Sequence, residues 1–303
     1  MTRVLVAGAA GFVGANVMRE LAQRPDVTAV GWIRPGGDQW RLAHIPQKNV
    51  IPIDITNLDE VTRAIRQLQP DVVINAAAYG VMPQQNDPVR NYDVNVHAVH
   101  IILTAARASG VSRVVHLGSY FEYGDLSDVL REDSALMPKS NYAATKAAAS
   151  LIAASCDYRT MEVVVMRLFN LWGLWESAGR LVPQVIAACR AATPLALTSG
   201  TQLKDFVYMG DAAAWIVDLA LRQTPVGHRI VNLASGELTM VKTLVSTIAQ
   251  TMGHLDLMRF GAKPMPATEP NTGPADTSRI DELLPERRKT PIQQALSDVL
   301  RAN

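Results

Sequence analysis

Short runs of hydrophobic, largely β-branched residues alternate along the first half of the chain with stretches whose apolar residues recur every three or four positions. The runs at 3–7, 27–33, 50–55, 71–76, 113–117 and 162–168 are apolar almost throughout, the pattern of strands covered on both faces. Between them, Val13, Val17 and Leu21 recur at four, while Leu58, Val61, Ile65 and Leu68 recur at three and four. Each set places one apolar stripe on a helix that packs on a sheet. Strand-helix alternation of this kind predicts right-handed crossovers and a doubly wound parallel sheet of the α/β class.

After Asn170 the rhythm changes. Shorter strand candidates, 195–198 and 229–233, are interspersed with helical patterns at 181–191, 211–221, 241–252 and 292–300, which predicts a smaller appended α/β lobe. The stretch 263–274 carries four prolines and reads as a loop.

Composition narrows the function classes. Hydrophobic residues make up 48% of the 303-residue chain and charged residues 19%, enough apolar material for a large core and too little charge for disorder. A formal charge of +1 without any basic run gives no electrostatic footprint for nucleic acid. Arg3 followed by an apolar stretch superficially resembles a leader, but Gly8, Gly11 and Gly14 break that stretch at regular spacing, and nothing else approaches the ~18 apolar residues of a membrane span. With only Cys156 and Cys189, a reduced, cytoplasmic protein without a membrane segment is expected.

Gly8-Ala-Ala-Gly11-Phe12-Val13-Gly14 lies between the first strand and the first helix. Glycines there allow a tight turn and close backbone approach, and the helix N-terminus faces negative charge, so the loop predicts a dinucleotide site. The second strand ends in Ile33 and Arg34. A carboxylate in place of Ile33 would hold the ribose hydroxyls of NAD, whereas a guanidinium suits the extra phosphate of NADP. NADP(H) is therefore preferred over NAD(H), which stays possible, and the bland alternative is a solvated Arg34. Asp54, followed by Ile55, stands at the end of the third strand, either as a partner for the adenine amino group or as a cap for the next helix. Ala76, Ala77 and Ala78 close the fourth strand with side chains small enough for a cofactor to cross the sheet edge.

Tyr142 and Lys146 are four apart at the start of an alanine-rich helix and so share a face. An ammonium beside a phenol lowers its pKa toward neutrality, as a proton donor or acceptor for an alcohol-carbonyl pair requires. His97 and His100 share a helix face too, but no third ligand is spaced to complete a metal site.

Taken in order, GAAGFVG at 8–14, NAAA at 75–78, YDVNVHA at 92–98, GSYFEYG at 118–124, YAATK at 142–146, RLFNLWG at 167–173, RLVP at 180–183, KDFVYMGD at 204–211 and ADTSRI at 275–280 resemble the extended short-chain dehydrogenase/reductase family of nucleotide-sugar epimerases, dehydratases and reductases. The resemblance covers nearly the whole chain. It implies a cofactor domain over 1–170 and a mainly substrate-binding lobe over 171–303, with the chain free to cross between them. It also implies a catalytic triad of Ser119, Tyr142 and Lys146. Gly8, Gly11, Phe12, Val13, Gly14, Arg34, Asp54, Ile55, Ala76, Ala77, Ala78 and Asn95 fall to the cofactor, together with Tyr142 and Lys146. Tyr79, Ser119, Tyr120, Glu122, Asn170, Arg180 and Lys204 fall to a nucleotide-sugar substrate. For Asn95 a structural role stands beside the catalytic one, and for Glu122 a capping role beside substrate contact.

Two departures bear on the substrate. Lys204 stands where the family usually has arginine, and no arginine precedes the ADTSRI motif to bind phosphate, so Lys263 or Arg180 is left for that task. Related 4,6-dehydratases follow the serine or threonine with Asp and Glu, and Tyr120 and Phe121 occupy those positions here. What remains is redox chemistry at one carbon. The expectation is an NADPH-dependent reductase of a nucleotide-diphospho-4-keto-6-deoxysugar, with an NAD-dependent 4-epimerase and a non-catalytic NADP-binding regulator as alternatives. The two small-residue helices around His97 and at 143–154 resemble the family's four-helix interface, which implies a homodimer.

Overall fold

The computed structural model describes residues 1–82, 84–125, 128–156, 160–265 and 273–301. Strand β1 (Thr2–Ala7) leads through the glycine turn into α1 (Phe12–Leu21), and β2 (Val27–Ile33) is followed by β3 (Val50–Pro52) and α2 (Leu58–Leu68). After β4 (Val72–Asn75), α3 (Pro88–Tyr92) passes through a π turn at Asp93–His97 into α4 (Ala98–Ala108). Then come β5 (Arg113–Ser119), α5 (Asn141–Ala154), β6 (Glu162–Leu168), β7 (Asn170–Trp172), α6 (Leu181–Arg190), β8 (Leu195–Ala196), β9 (Leu203–Tyr208) and α7 (Met209–Ala220). The chain ends with β10 (Ile230–Leu233), β11 (Leu238–Met240), α8 (Val241–Thr251), β12 (Met258–Arg259), α9 (Ser278–Leu283) and α10 (Ile292–Arg301).

All seven strands of the large sheet are parallel, in the order β3-β2-β1-β4-β5-β6-β10. Their period of two supplies two separate cores. Val4 and Val6 of β1, Val115 and Leu117 of β5, and Val164 and Met166 of β6 face α1 and α7, whereas Leu5, Ala7, Val114, Val163 and Val165 face α2, α4 and α5. Every predicted strand of the first half is present. The third is shorter than expected, because its one partner, β2, ends at Ile33, whose carbonyl accepts a last bond from Ile53 N at 2.9 Å; the fifth runs two residues further, to Ser119.

Residue 170 does not divide the molecule in space. α7 packs against α1, and β10 adds to β6 as the seventh strand, so both return to the first layer after the chain has already built part of the second lobe. That lobe holds the β11-β9-β7 sheet, the β12-β8 pair, and a core in which Val185 of α6, Val245 and Ile248 of α8 and Leu296 of α10 meet. Of the loop expected over 263–274, residues 266–272 lie outside the described residues. No helix among the described residues is long and apolar enough to cross a membrane.

The order of strands reverses between β1 and β4, which opens a crevice at their C-terminal ends. The turn under it is tightly packed: a Cβ on Gly14 would stand 2.2 Å from the carbonyl oxygen of Gly8. Gly110, by contrast, has a positive φ, +74°, with nothing within 4 Å of its position. Gly14→Ala should therefore lower the thermal unfolding midpoint by more than Gly110→Ala, which bears only the backbone cost of about 1 kcal/mol. Calorimetry of the two variants checks this, and an equal loss would mean that the turn relaxes freely.

Candidate active site

Two connected cavities occupy the crevice. The larger, about 820 Å³, runs over the C-terminal ends of β1 to β4 and is lined by Gly8, Gly11, Arg34, Asp54, Ile55 and Ala76 to Tyr79, among others. The smaller, about 320 Å³, lies over the ends of β5 and β6 and is lined by Ser119 to Phe121, Tyr142, Lys146, Asn170 and Arg180, with Phe12 and Val13 on its wall. Gly11, Arg41, Ala76, Ala78 and Gln85 border both.

The larger cavity suits a dinucleotide on its own geometry. A Cβ on Gly8, at φ +78°, would stand 2.6 Å from the backbone of Ala77, so only glycine lets the two loops meet. α1 begins at Gly11 with no side-chain cap and no acid in its first turn, which leaves its backbone N–H groups for an anion. Gly14 lines neither cavity; its part is the close packing of α1 on the turn. Asp54 accepts from Thr56 N and Oγ1 at 3.0 and 2.7 Å, and the cap of α2 is Asn57, which accepts from Glu60 N at 3.1 Å. Capping is thereby removed as the explanation for Asp54. Arg34 is exposed on the cavity rim, with Asp38 also on the lining.

In the smaller cavity, Ser119 ends β5 and caps the 3₁₀ turn Tyr120–Glu122, accepting from Phe121 N at 3.3 Å. Ser140 caps α5 by accepting from Ala143 N, which sets the helix that carries Tyr142 and Lys146. The Tyr142 ring meets Phe121 edge-on, at 6.2 Å between centroids. Burial pushes the Tyr142 phenol up to about 12, and the hydrogen bond with the Ser119 hydroxyl only partly opposes this. The Lys146 ammonium donates to the Leu117 carbonyl; burial brings it down to about 8, against the pull of Glu122. The phenol therefore does not approach neutrality as the Tyr–Lys spacing suggests, because desolvation dominates.

Several expected contacts lie elsewhere. Glu122 is wholly buried and faces away from the cavity: its Oε1 accepts from Ser119 N at 2.7 Å and Ser150 Oγ at 2.8 Å, and its Oε2 pairs with Arg167 Nε at 2.9 Å. Its capping role is the one realised. Asn95 is equally buried and reaches no cavity; at the π turn it exchanges 2.8 Å hydrogen bonds with the backbone N–H and carbonyl of Tyr79 and reaches Thr145, beside Lys146. Tyr79 lines the larger cavity rather than the substrate side, with Arg90 over its ring. Lys204 is buried on β9 and lines neither cavity. Asn170 does face the smaller cavity, accepting from the Tyr120 hydroxyl at 2.9 Å and donating to the Asp205 carbonyl at 3.2 Å. His97 and His100 are exposed, and no metal-binding cluster occurs among the described residues.

Two lining residues escape the sequence patterns. Arg41 donates from Nε to the Trp175 carbonyl at 2.9 Å and stands where the two cavities join, a fitting place for a cation beside an anionic linker. Glu176 lines the smaller cavity with its side chain only 6% exposed, and its Oε1 lies 3.6 Å from Arg180 Nε. Burial pushes this carboxyl up to about 7, against the opposing effects of Arg180 and of a hydrogen bond from the Gly173 backbone.

A parallel sheet with a glycine turn at its switch point and a Ser/Tyr/Lys group over the adjoining strands defines a dinucleotide-dependent oxidoreductase. Residues 4–234 match the model of the NAD dependent epimerase/dehydratase family, and the chain belongs to that family, a branch of the extended short-chain dehydrogenase/reductases. It is 27% identical over 267 residues to "Low-salt glycan biosynthesis protein Agl12" of Haloferax volcanii, covering 85% of each chain. It is 25% identical to "Uncharacterized UDP-glucose epimerase YtcB" of Bacillus subtilis, over 98% of this chain and 96% of the relative. The structure of dTDP-glucose 4,6-dehydratase from Bacillus anthracis in complex with NAD superimposes with a TM-score of 0.86, at 19% identity, over 100% of this chain and 96% of the other. The protein is thus an enzyme of the NAD dependent epimerase/dehydratase type.

Glu176 carries a stability signature. Its folded pKa, about 7, lies above the ordinary 4.5, so between those values the unfolded chain has lost a proton that the native state keeps. Wild-type stability should accordingly fall as pH rises from 4.5 to 7, by a contribution on the order of a few kcal/mol. Glu176→Gln removes this slope, so its unfolding midpoint should gain on wild type between pH 5 and pH 8. Parallel pH dependences for the two proteins would mean that Glu176 titrates as an ordinary surface acid.

Proposed function

We propose that the protein reduces the 4-keto group of a nucleotide-diphospho-4-keto-6-deoxysugar, drawing on NADPH. The observation that carries this reading is the turn after Ser119. It delivers the rings of Tyr120 and Phe121 to the cavity and withdraws its carboxylate, Glu122, into an ion pair with Arg167. Elimination of water across two carbons needs acid-base groups at that turn, and aromatic rings cannot serve. Chemistry at a single carbon remains.

A bound nicotinamide dinucleotide supplies the hydride. The protein supplies the rest: Ser119 orients the carbonyl oxygen, Tyr142 gives it a proton as the carbon is reduced, and Lys146 supports the cofactor side. A phenol raised to about 12 holds its proton throughout the neutral range, as a proton donor to the carbonyl oxygen requires. Arg34 on the rim of the larger cavity supports NADP(H), and Arg180 on the substrate wall supports recognition of a diphosphate.

A second reading is an NAD-dependent 4-epimerase. It is favoured by the epimerase name of the Bacillus subtilis relative and by Asp38, a carboxylate on the same cavity lining as Arg34. The retained Ser119, Tyr142 and Lys146 speak against a regulator without turnover.

Cofactor stoichiometry separates the readings. With a nucleotide 4-keto-6-deoxyhexose, one NADPH should be oxidised per sugar reduced, followed by the loss of cofactor absorbance. Interconversion of ordinary nucleotide sugars without net cofactor change would establish the epimerase instead. On the cofactor side, Arg34→Ala should weaken NADPH binding about tenfold or more while changing NADH only slightly. Equal losses for both, or a wild-type preference for NADH, would reject Arg34 as the phosphate ligand.

A further inference from the structure

Of the buried polar atoms that lack a partner among the described residues, only Glu176 Oε2 belongs to a residue lining the smaller cavity. Its side chain is more than nine-tenths buried, so water does not satisfy that oxygen from outside. Arg180 does not satisfy it either: its guanidinium approaches the other oxygen, at 3.6 Å, and is itself half exposed. The main chain holds the carboxylate in place at some cost. Trp175, the residue before it, adopts φ +66°, a left-handed conformation unfavourable for a bulky side chain. That conformation is fixed from two sides, by stacking of the Trp175 ring on His44 at 5.0 Å and by the bond from Arg41 to the Trp175 carbonyl.

An acceptor so placed calls for a donor that arrives with the ligand. A phosphate would be repelled by the ionised carboxylate, the form that gains above pH about 7. A full cation would duplicate Arg180 in a cavity that Arg41 and Lys146 already line. A neutral hydroxyl meets the need at the lowest desolvation cost.

We propose that Glu176 is a specificity-determining residue, its free oxygen accepting a hydrogen bond from a ring hydroxyl of the bound sugar other than the oxygen undergoing reaction. The inference rests on the nucleotide-sugar reading and deepens it. A sugar without that hydroxyl leaves the oxygen bare, so such analogues are rejected rather than bound indifferently.

The test compares ligands with and without the hexose. Wild type, Glu176→Gln and Glu176→Leu, each saturated with NADP⁺ or NAD⁺, are titrated calorimetrically with UDP-, dTDP-, GDP-, CDP- and ADP-glucose, and with the corresponding nucleoside diphosphates. In Glu176→Leu the affinity for the preferred nucleotide sugar should fall about tenfold or more, while that for the matching nucleoside diphosphate stays within about twofold. Glu176→Gln keeps an acceptor oxygen of the same shape and should recover part of the loss; it also carries the comparison should the leucine variant not fold. Equal effects on both ligand classes, or no effect on either, overturn the proposal. A wild type that binds the nucleoside diphosphates as tightly as the nucleotide sugars also overturns it, while leaving nucleotide recognition intact. Binding of neither class by wild type would remove the nucleotide-sugar reading itself and this inference with it.

Discussion

One buried carboxylate sets the positions on which the proposed catalytic group depends. Glu122 joins three elements at once: the end of β5 through Ser119 N, α5 through Ser150, and β6 through Arg167. Arg167 in turn donates to the Glu132 carbonyl at 3.0 Å and lies 4.6 Å from the Tyr123 ring, whose hydroxyl donates to Asn232 on β10. With every charge paired, the network fixes how far α5 stands from the sheet, and therefore where Tyr142 and Lys146 stand relative to Ser119. Losing one partner of such a pair typically costs about 3–5 kcal/mol, because the other charge is left bare in the core. The same burial that makes the pair costly to break keeps its acid out of the chemistry.

Asn95 plays the corresponding part on the other side of α5. The π turn adds a residue to the helix, and the asparagine it carries grips the Tyr79 backbone and Thr145. The loop after β4 and the helix bearing the triad are thus tied to one side chain. Neither Glu122 nor Asn95 touches the cavities, yet both bear on the geometry of residues that do. The proposed triad rests on rigid elements, with Ser119 at a strand end and Tyr142 and Lys146 on a helix.

Much of this was readable from residue patterns. Each buried strand of the first half announced itself by a largely apolar run, and the glycine turn by its spacing, because both follow from local geometry. Strand ends were harder: β3 stops at Pro52, in the middle of an apolar run, because its partner β2 ends at Ile33. The second lobe was legible only as a change of rhythm. Which of its elements return to the first layer depends on long-range pairing that no local pattern records. The site divided in the same way. Gly8, Ser119, Tyr142 and Lys146 sit in ordered motifs, whereas Glu122 could be read either as a cap or as a substrate contact and owes its burial to Arg167, distant in sequence. Arg41 and Glu176 sit in unremarkable polar stretches, and the contact between Arg41 and the Trp175 carbonyl gives no sign in either segment.

The late return of β10 to the large sheet bears on how the protein comes into being. During synthesis the first six strands emerge long before the seventh, and until Ile230–Leu233 arrive the outer edge of β6 presents unpaired backbone groups. α1 likewise waits for α7 to cover its apolar face. A nascent chain halted near residue 170 is therefore a sticky half-product, open to strand pairing with its neighbours, and its protection falls to whatever shields it in the cell until translation is complete.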